Sequence, residues 1–196
     1  MTDHSKPIPR APEDWPPSLK HVLDDMKGRP LNVHGLMAHH PDLLAAWWNF
    51  RNHSVNGGAL GKRAGELVIL RTAVHLRAWY EWASHVERSL ACGLTMAEIE
   101  AVKAPQKKSD WAEADRLLLL AVDELFASKA IDPATLAQLN AHYSVPQLMD
   151  IMAIHGMYVI LGCMINTWGL ELDAHVRENL PSQVTPEAFE AEFPKD

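Results

Sequence analysis

Apolar residues recur at three- and four-residue intervals along most of the chain, and no stretch alternates apolar and polar positions as a half-buried strand would. From Ser18, the run SLKHVLDDMKG puts Leu19, Val22, Leu23 and Met26 on one helical face, with Ser18 as the expected cap and Gly28 as the stop. Pro41 and Asp42 open a second amphipathic stretch carrying Leu43, Leu44, Trp47 and Trp48, closed by the turn signal Asn56-Gly57-Gly58. Residues 62–103 form a central helical block punctuated by Gly93, after which Thr95 and Glu98 have the spacing of a capping box. Ser109 and Asp110 are expected to cap the helix WAEADRLLLLAVDELFAS, Asp132-Pro133 starts the next, and after Val145-Pro146 a long apolar helix reaches Gly169. The pattern predicts an all-α fold of six to eight helices. Gly93-Leu94 and Gly169-Leu170 each end a long helix, which is compatible with a duplicated helical unit.

The ends read differently. Residues 1–17 hold five prolines, and proline both lacks a donor and disfavours helix at the residue before it, so an extended arm is expected there. The helical domain then spans 18–173, and 174–196 form a polar tail. The chain has 196 residues, 47% of them hydrophobic and 22% charged, enough to bury a core without disulfide or metal staples. Lys and Arg number 18 against 25 Asp and Glu, a net charge of −7, so neither nucleic acid nor an anionic membrane is an expected partner. Cys92 and Cys163 lack CxxC spacing and sit in apolar stretches, as core thiols in a reducing compartment would. The N-terminus has no secretory pattern, and the longest apolar run, Met149–Ile165, is broken by Asp150, His155 and two glycines. A cytoplasmic location is expected.

Candidate chemistry concentrates in Tyr80-Glu81-Trp82-Ala-Ser-His85. Glu81 and His85 are four residues apart, which places both on one helix face. A carboxylate beside an imidazole favours the protonated ring, a way of preparing a proton donor near neutral pH; an ordinary surface pair has the same spacing. In the last long helix, His155, Tyr158, Gly162 and Asn166 form one polar stripe among Ile, Met, Val and Leu. Such a stripe needs either a hydrogen-bonded core network or a cavity wall, and in the second case Gly162 would leave room for a ligand. Gly58-Ala-Leu-Gly61-Lys62 lacks the Ser/Thr and the preceding strand of a phosphate loop, and His34, His39 and His40 are not in a zinc spacing. No metal or cofactor is expected.

Three runs in order, Glu66-Leu-Val-Ile-Leu-Arg71, Tyr80-Glu81-Trp82-x-x-His85 and Gly93-Leu94-x-x-x-Glu98-Ile99, resemble the central motif of the carboxymuconolactone decarboxylase family within the alkylhydroperoxidase-D-like superfamily. The resemblance continues through Trp111-x-x-Ala114-Asp115-x-Leu117-Leu118, Asp123-Glu124-Leu125, Ala141-His142-Tyr143, His155-x-x-Tyr158 and Asn166-x-x-Gly169, covering about residues 30–173. Where the peroxidase branch keeps a CxxC pair, this chain has Ala78 and Glu81, so thiol peroxidase activity is not expected and the decarboxylase-type branch is. The resemblance implies a site with His85, Glu81 and Glu66 as catalytic residues. It also implies substrate contacts from His155, Tyr158, Asn166, Arg71 and Tyr80. Glu66 lies 15 residues before Glu81, about 22 Å along an unbroken helix, so it joins only if the chain turns near His75–Ala78, where no Gly or Pro stands.

The implied reaction is loss of CO2 from a small carboxylated or lactone-type organic acid, with His85 delivering the proton and the two glutamates setting its charge state. Isomerisation, hydration or lactone hydrolysis would use the same groups, and a non-catalytic helical assembly protein is the reading from another class. A homotrimer or homohexamer is the implied assembly.

Overall fold

Capping residues and helix-compatible turns decide where this chain reverses. The computed structural model describes residues 6–108, 110–191 and 193. It is 69% helical with no strand among them, the all-α architecture read from the periodicity. The helices are α1 (Lys20–Asp25), α2 (Asn32–Met37), α3 (Pro41–Asn52), α4 (Lys62–His75), α5 (Trp79–Ala91), α6 (Met96–Ala101), α7 (Glu113–Ser128), α8 (Pro133–Leu139), α9 (Val145–Trp168), α10 (Ala174–Asn179) and α11 (Pro186–Glu190). Eleven described helices exceed the six to eight expected because α2, α10 and α11 are pieces of five or six residues, too short for periodicity to resolve.

The caps explain several boundaries. Thr95 and Glu98 form the expected capping box, Thr95 N donating to Glu98 Oε2 at 2.8 Å and Glu98 N to Thr95 Oγ1 at 3.2 Å. Ser144 and Gln147 build a second box at the start of α9, which the sequence reading passed over. Asp132 accepts from Ala134 N at 2.8 Å. Two expected caps do not form. Ser18 lies inside a 3-10 turn, Pro17–Leu19, that precedes α1. Asp110 turns to Lys108, and α7 begins three residues later without a side-chain cap; Ser109 lies outside the described residues. The Gly-Leu parallel is real at the backbone level. Leu94 N donates to Ser89 O and Leu170 N to Ile165 O, both at 3.0 Å, with Gly93 and Gly169 at positive φ.

At the centre lies α4, whose residues 65–74 are all buried and which packs against α5, α7 and α9. The reversal between α4 and α5 falls at Leu76–Ala78, with Arg77 at φ 51°, a left-handed conformation that costs a non-glycine residue roughly 1–2 kcal/mol. Backbone bonds Arg77 N to Val74 O and Ala78 N to Ala73 O close the turn, and Asn166 Nδ2 donates to Leu76 O at 2.7 Å. By composition α9 is long and apolar enough to cross a membrane, at mean hydropathy 1.8 over its most apolar 18 residues; half of that stretch is buried inside the fold. Val145, Met149, Met152 and Ile160 are exposed on it. The described part of the N-terminal arm crosses α2, where Arg10 N donates to Gly35 O at 3.0 Å. A Cβ at Gly35 would lie 2.9 Å from Arg10 O, so glycine permits that approach. The arm's first five residues lie outside the described ones.

Arg71, which the motif implied as a substrate contact, has its donors engaged within the protein. Its guanidinium is 8% exposed as a residue, pairs with Asp123, and donates to the carbonyls of Val102 and Lys103 at 2.9 and 3.1 Å, joining α4 to α7 and to the end of α6. Arg71→Met is expected to lower unfolding stability by about 3 kcal/mol, since it leaves the Val102 and Lys103 carbonyls without their donor and Asp123 with His75 alone. Urea unfolding followed by circular dichroism measures this; a loss below the error of the fit would refute the structural role.

Candidate active site

Folding α5 back over α4 brings Glu66 to His85. Glu66 Oε2 lies 2.7 Å from His85 Nδ1, and Ser89 Oγ donates to the same oxygen at 3.4 Å. From α9, the Tyr158 hydroxyl reaches His85 Nε2 at 3.0 Å, with the two rings edge to face at 5.1 Å between centroids. A carboxylate accepts only, so Nδ1 carries the proton and Nε2 accepts from the Tyr158 O–H. His85 is 3% exposed and Glu66 6%. Burial draws the imidazole below its ordinary pKa, the Glu66 carboxylate opposes that, and Arg88 and Arg51 add to the lowering. The resting ring is therefore neutral, where the sequence reading had it protonated.

Glu81 is not the partner that spacing implied. It shares the face of α5, yet neither carboxylate oxygen has a hydrogen-bond partner, and the residue is 2% exposed. Desolvation pushes its pKa well above the usual carboxylate range, which favours the protonated, uncharged form of this buried group. Gly162 makes the room for it. A Cβ there would lie 3.2 Å from Glu81 Oε2 and 2.6 Å from Leu76 Cδ1. The space expected for a ligand beside Gly162 is thus filled by the protein itself.

Glu81, His85 and Tyr158 open onto an inner chamber of about 40 Å³, completed by Tyr80, Ser84 and His34 and by an apolar wall that includes Leu161 and Ile165. That space exceeds the minimum for a water molecule. Its lining is rich in unsatisfied polar atoms: besides Glu81, Ser84 Oγ and Trp47 Nε1 are buried without partners. Tyr80 is anchored, donating to Asp173 Oδ2 at 2.6 Å and accepting from Val33 N at 3.3 Å. His34 accepts from Leu31 N at 3.2 Å, and burial lowers its pKa to about 3, so it too is neutral.

Outside the chamber lie two wider clefts. One, of about 490 Å³, is lined by Glu66, Ile69, Cys92, Gly58, Leu60 and Lys62; the other, of about 590 Å³, by Asp25, Met26, Arg29 and Trp48. Arg51 and Arg88 line both clefts and the chamber. Asp150 occupies the loop that faintly resembled a phosphate cradle, accepting from the amides of Ala59 and Leu60. No group of metal-binding type occurs among the described residues.

Two expected contacts lie elsewhere. His155 Nδ1 pairs with Thr72 Oγ1 at 3.0 Å, and Asn166 holds the Leu76 carbonyl, so the polar stripe of α9 divides between the chamber, through Tyr158, and structural bonds. Sequence reading missed Arg51, Arg88, Ser84, Trp47 and His34. Ser84 and Arg88 were legible in principle, at offsets of three and seven from Glu81 on the same helix face.

The fold is that of an AhpD-like helical domain. Over 88% of this chain and 94% of the other, it superposes with a TM-score of 0.75 on a peroxidase-related protein with an alkylhydroperoxidase AhpD core from Ralstonia eutropha JMP134, at 21% identity. A peroxidase-related protein from Silicibacter sp. TM1040 gives 0.72 over 90% of this chain and 97% of the other, at 16% identity. The debrominase Bmp8, solved in complex with 2,3,4-tribromopyrrole, gives 0.69 over 83% and 89%, at 20% identity. Residues 41–107 match the model of the carboxymuconolactone decarboxylase family, a segment that holds Arg51, Glu66, Glu81, His85 and Arg88. No curated protein matches the chain.

The state of Glu81 has a signature in stability. An unfolded Glu81 loses its proton near pH 4.5, whereas the native group holds it to a higher pH, so the stability due to this group falls as pH rises from there through the native pKa. Glu81→Gln should therefore be about 1–3 kcal/mol more stable than the native protein at pH 8, with the difference vanishing near pH 4. Urea titrations at the two pH values test this; equal stabilities at pH 8 would mean that Glu81 is not held as an acid.

Proposed function

We propose that this protein is a decarboxylase-like lyase acting on a small carboxylated or lactone-type organic acid by proton transfer between side chains. The observation that carries the reading is the buried, unpartnered Glu81 carboxyl on the same chamber as a neutral His85. A desolvated carboxyl without a hydrogen-bond partner favours its protonated form and is a general acid ready to donate, and a neutral imidazole oriented by a carboxylate is its complementary base.

In the proposed step, the substrate's C–CO2 bond breaks and its electron pair passes into a conjugated carbonyl of the substrate. Glu81 then donates its proton to the carbon, giving CO2 and the protonated product. The resulting Glu81 carboxylate is unfavourable in its surroundings and recovers a proton. Glu66 faces the outer cleft while His85 and Tyr158 face the chamber, so the Tyr158–His85–Glu66 chain links the two; with the Tyr158 O–H directed to Nε2 and Nδ1–H to Glu66 it is set to take a proton out of the chamber, the direction that a base at His85 uses, and Glu81 recovers its own proton from water. This assignment exchanges the roles first read from the motif: Glu81 donates, while Glu66 rather than Glu81 orients His85. Acid and base on one chamber equally suit isomerisation, which differs in releasing no CO2.

Thiol peroxide chemistry fits poorly. Cys92 lines the outer cleft, and partial burial with the nearby Glu66 charge pushes its thiol away from the thiolate; Cys163 is exposed on α9.

His85→Ala and Glu81→Gln are each expected to reduce turnover at least 100-fold while leaving helical circular dichroism unchanged, with Cys92→Ser fully active. Product mass and CO2 release over a panel of small unsaturated and lactone acids provide the readout. Full activity in both site variants would remove the assignment, and robust dithiol-dependent hydroperoxide consumption would replace it.

A further inference from the structure

The protein carries a net charge of −7, and two other partly or fully buried guanidinium groups, Arg63 and Arg71, are matched by carboxylates. Arg63 lies 2.7 Å from both Glu98 and Asp115, and Arg71 pairs with Asp123. Arg51 and Arg88 break that pattern. Neither has a carboxylate at ion-pair distance among the described residues. Arg51 donates to Asn52 Oδ1 at 3.0 Å and stacks over the Trp48 ring at 4.9 Å, and Arg88 makes no hydrogen bond or ion pair there. The nearby acid, Asp25, is occupied by Trp48 Nε1 at 2.7 Å and Asn52 Nδ2 at 3.2 Å. Two like charges, both partly buried, thus stand together where the outer clefts meet the chamber. Leaving cations desolvated and unpaired is unfavourable, and the arrangement becomes favourable once an anion sits between them.

We propose that Arg51 and Arg88 form an anion clamp where the outer clefts meet the chamber, which binds a carboxylate of the substrate in the clefts and turns the reacting end of that molecule toward the chamber onto which Glu81 and Tyr158 open. The inference deepens the acid–base reading above by assigning the charge that the site selects and the two residues that select it. Planar guanidinium groups suit a carboxylate because each offers paired N–H donors at its spacing. Arg51 is fixed for the task by its stacking on Trp48 and its bond to Asn52. Burial lowers its pKa and the repulsion of Arg88 adds to this, while Tyr158 and Asp25 act in the opposite sense. Arg88 sits one turn beyond His85 on α5, so a carboxylate held by it lies beside the imidazole face of the same helix.

The test is equilibrium binding to the full chain, read by tryptophan fluorescence, since Trp48 stacks on Arg51 and Trp47 lines the chamber. Acetate, succinate and benzoate serve as probes, each against its neutral amide. Carboxylates are expected to bind at least tenfold more tightly than the amides, and to weaken as NaCl rises. Arg51→Gln and Arg88→Gln should each weaken the best carboxylate roughly tenfold or more, the Lys variants should recover part of that loss, and Arg116→Gln on the far helix α7 should change nothing. Should a Gln variant fail to fold, its Lys counterpart and the salt dependence of the native protein carry the test. Equal affinity for acid and amide, unaltered binding in folded Arg variants, or no carboxylate response at all would overturn the clamp. Repeating the titration with His85→Ala separates the two proposals: retained binding supports the clamp even if turnover assays defeat the acid–base chemistry, and lost binding there counts against it.

Discussion

The hydrogen bond between Glu66 and His85 is the constraint on which the site depends. It joins two consecutive helices across a reversal that has no glycine, placing a carboxylate and an imidazole together where water scarcely reaches either. A buried pair of this kind is favourable only if its geometry is maintained. The fold supplies that geometry from several directions. Asn166 ties the Leu76 carbonyl, Ser89 adds a donor to Glu66, and Tyr158 takes up the other ring nitrogen. With the ring fixed at both nitrogens, its tautomer is fixed as well, and the free acid function passes to Glu81.

The helical class was legible because apolar spacing, prolines and caps agreed over long stretches, most clearly at α3, α7 and α9. The short helices α2, α10 and α11 escaped detection, since five or six residues do not complete the two turns that make a period visible, whereas α1, α6 and α8 were legible through their caps and stops. The site residues on α5 were legible as a face, but their partners were not. Spacing put Glu81 beside His85, and only the tertiary reversal puts Glu66 there instead. A sequence also cannot report whether a carboxylate has partners. Spacing reads Glu81 as a carboxylate beside His85, and it stands without a partner because the space that the glycine at 162 leaves beside Leu76 takes its carboxyl out of water. His155 shows the converse. It shares a stripe with Tyr158, but Thr72 intercepts it before it reaches the chamber.

Arg71 and the pair Arg51 and Arg88 show why residue type alone misassigns an anion site. All three are partly or fully buried, and a motif-based reading favoured Arg71. What separates them is the presence or absence of compensating charge. Arg71 has its carboxylate and two carbonyls already, so a substrate would have to displace them; Arg51 and Arg88 have no such competitor among the described residues.

That imbalance bears on the proton chemistry itself. Arg88 and Arg51 both depress the proton affinity of His85, in the same direction as burial, while the Glu66 charge alone raises it. An anion bound between the guanidinium groups would cancel much of their field at the ring, because in a low-dielectric site such charges act over several ångströms with little screening. The imidazole would then accept a proton more readily with substrate present than without it. The neutral acid at Glu81 would feel the opposite influence, since an added negative charge holds its proton more firmly until carbon offers a better place for it. On this view the empty site keeps its base weak, and the charge of the correct ligand brings the Glu66–His85–Tyr158 chain into readiness at the moment the chamber is filled.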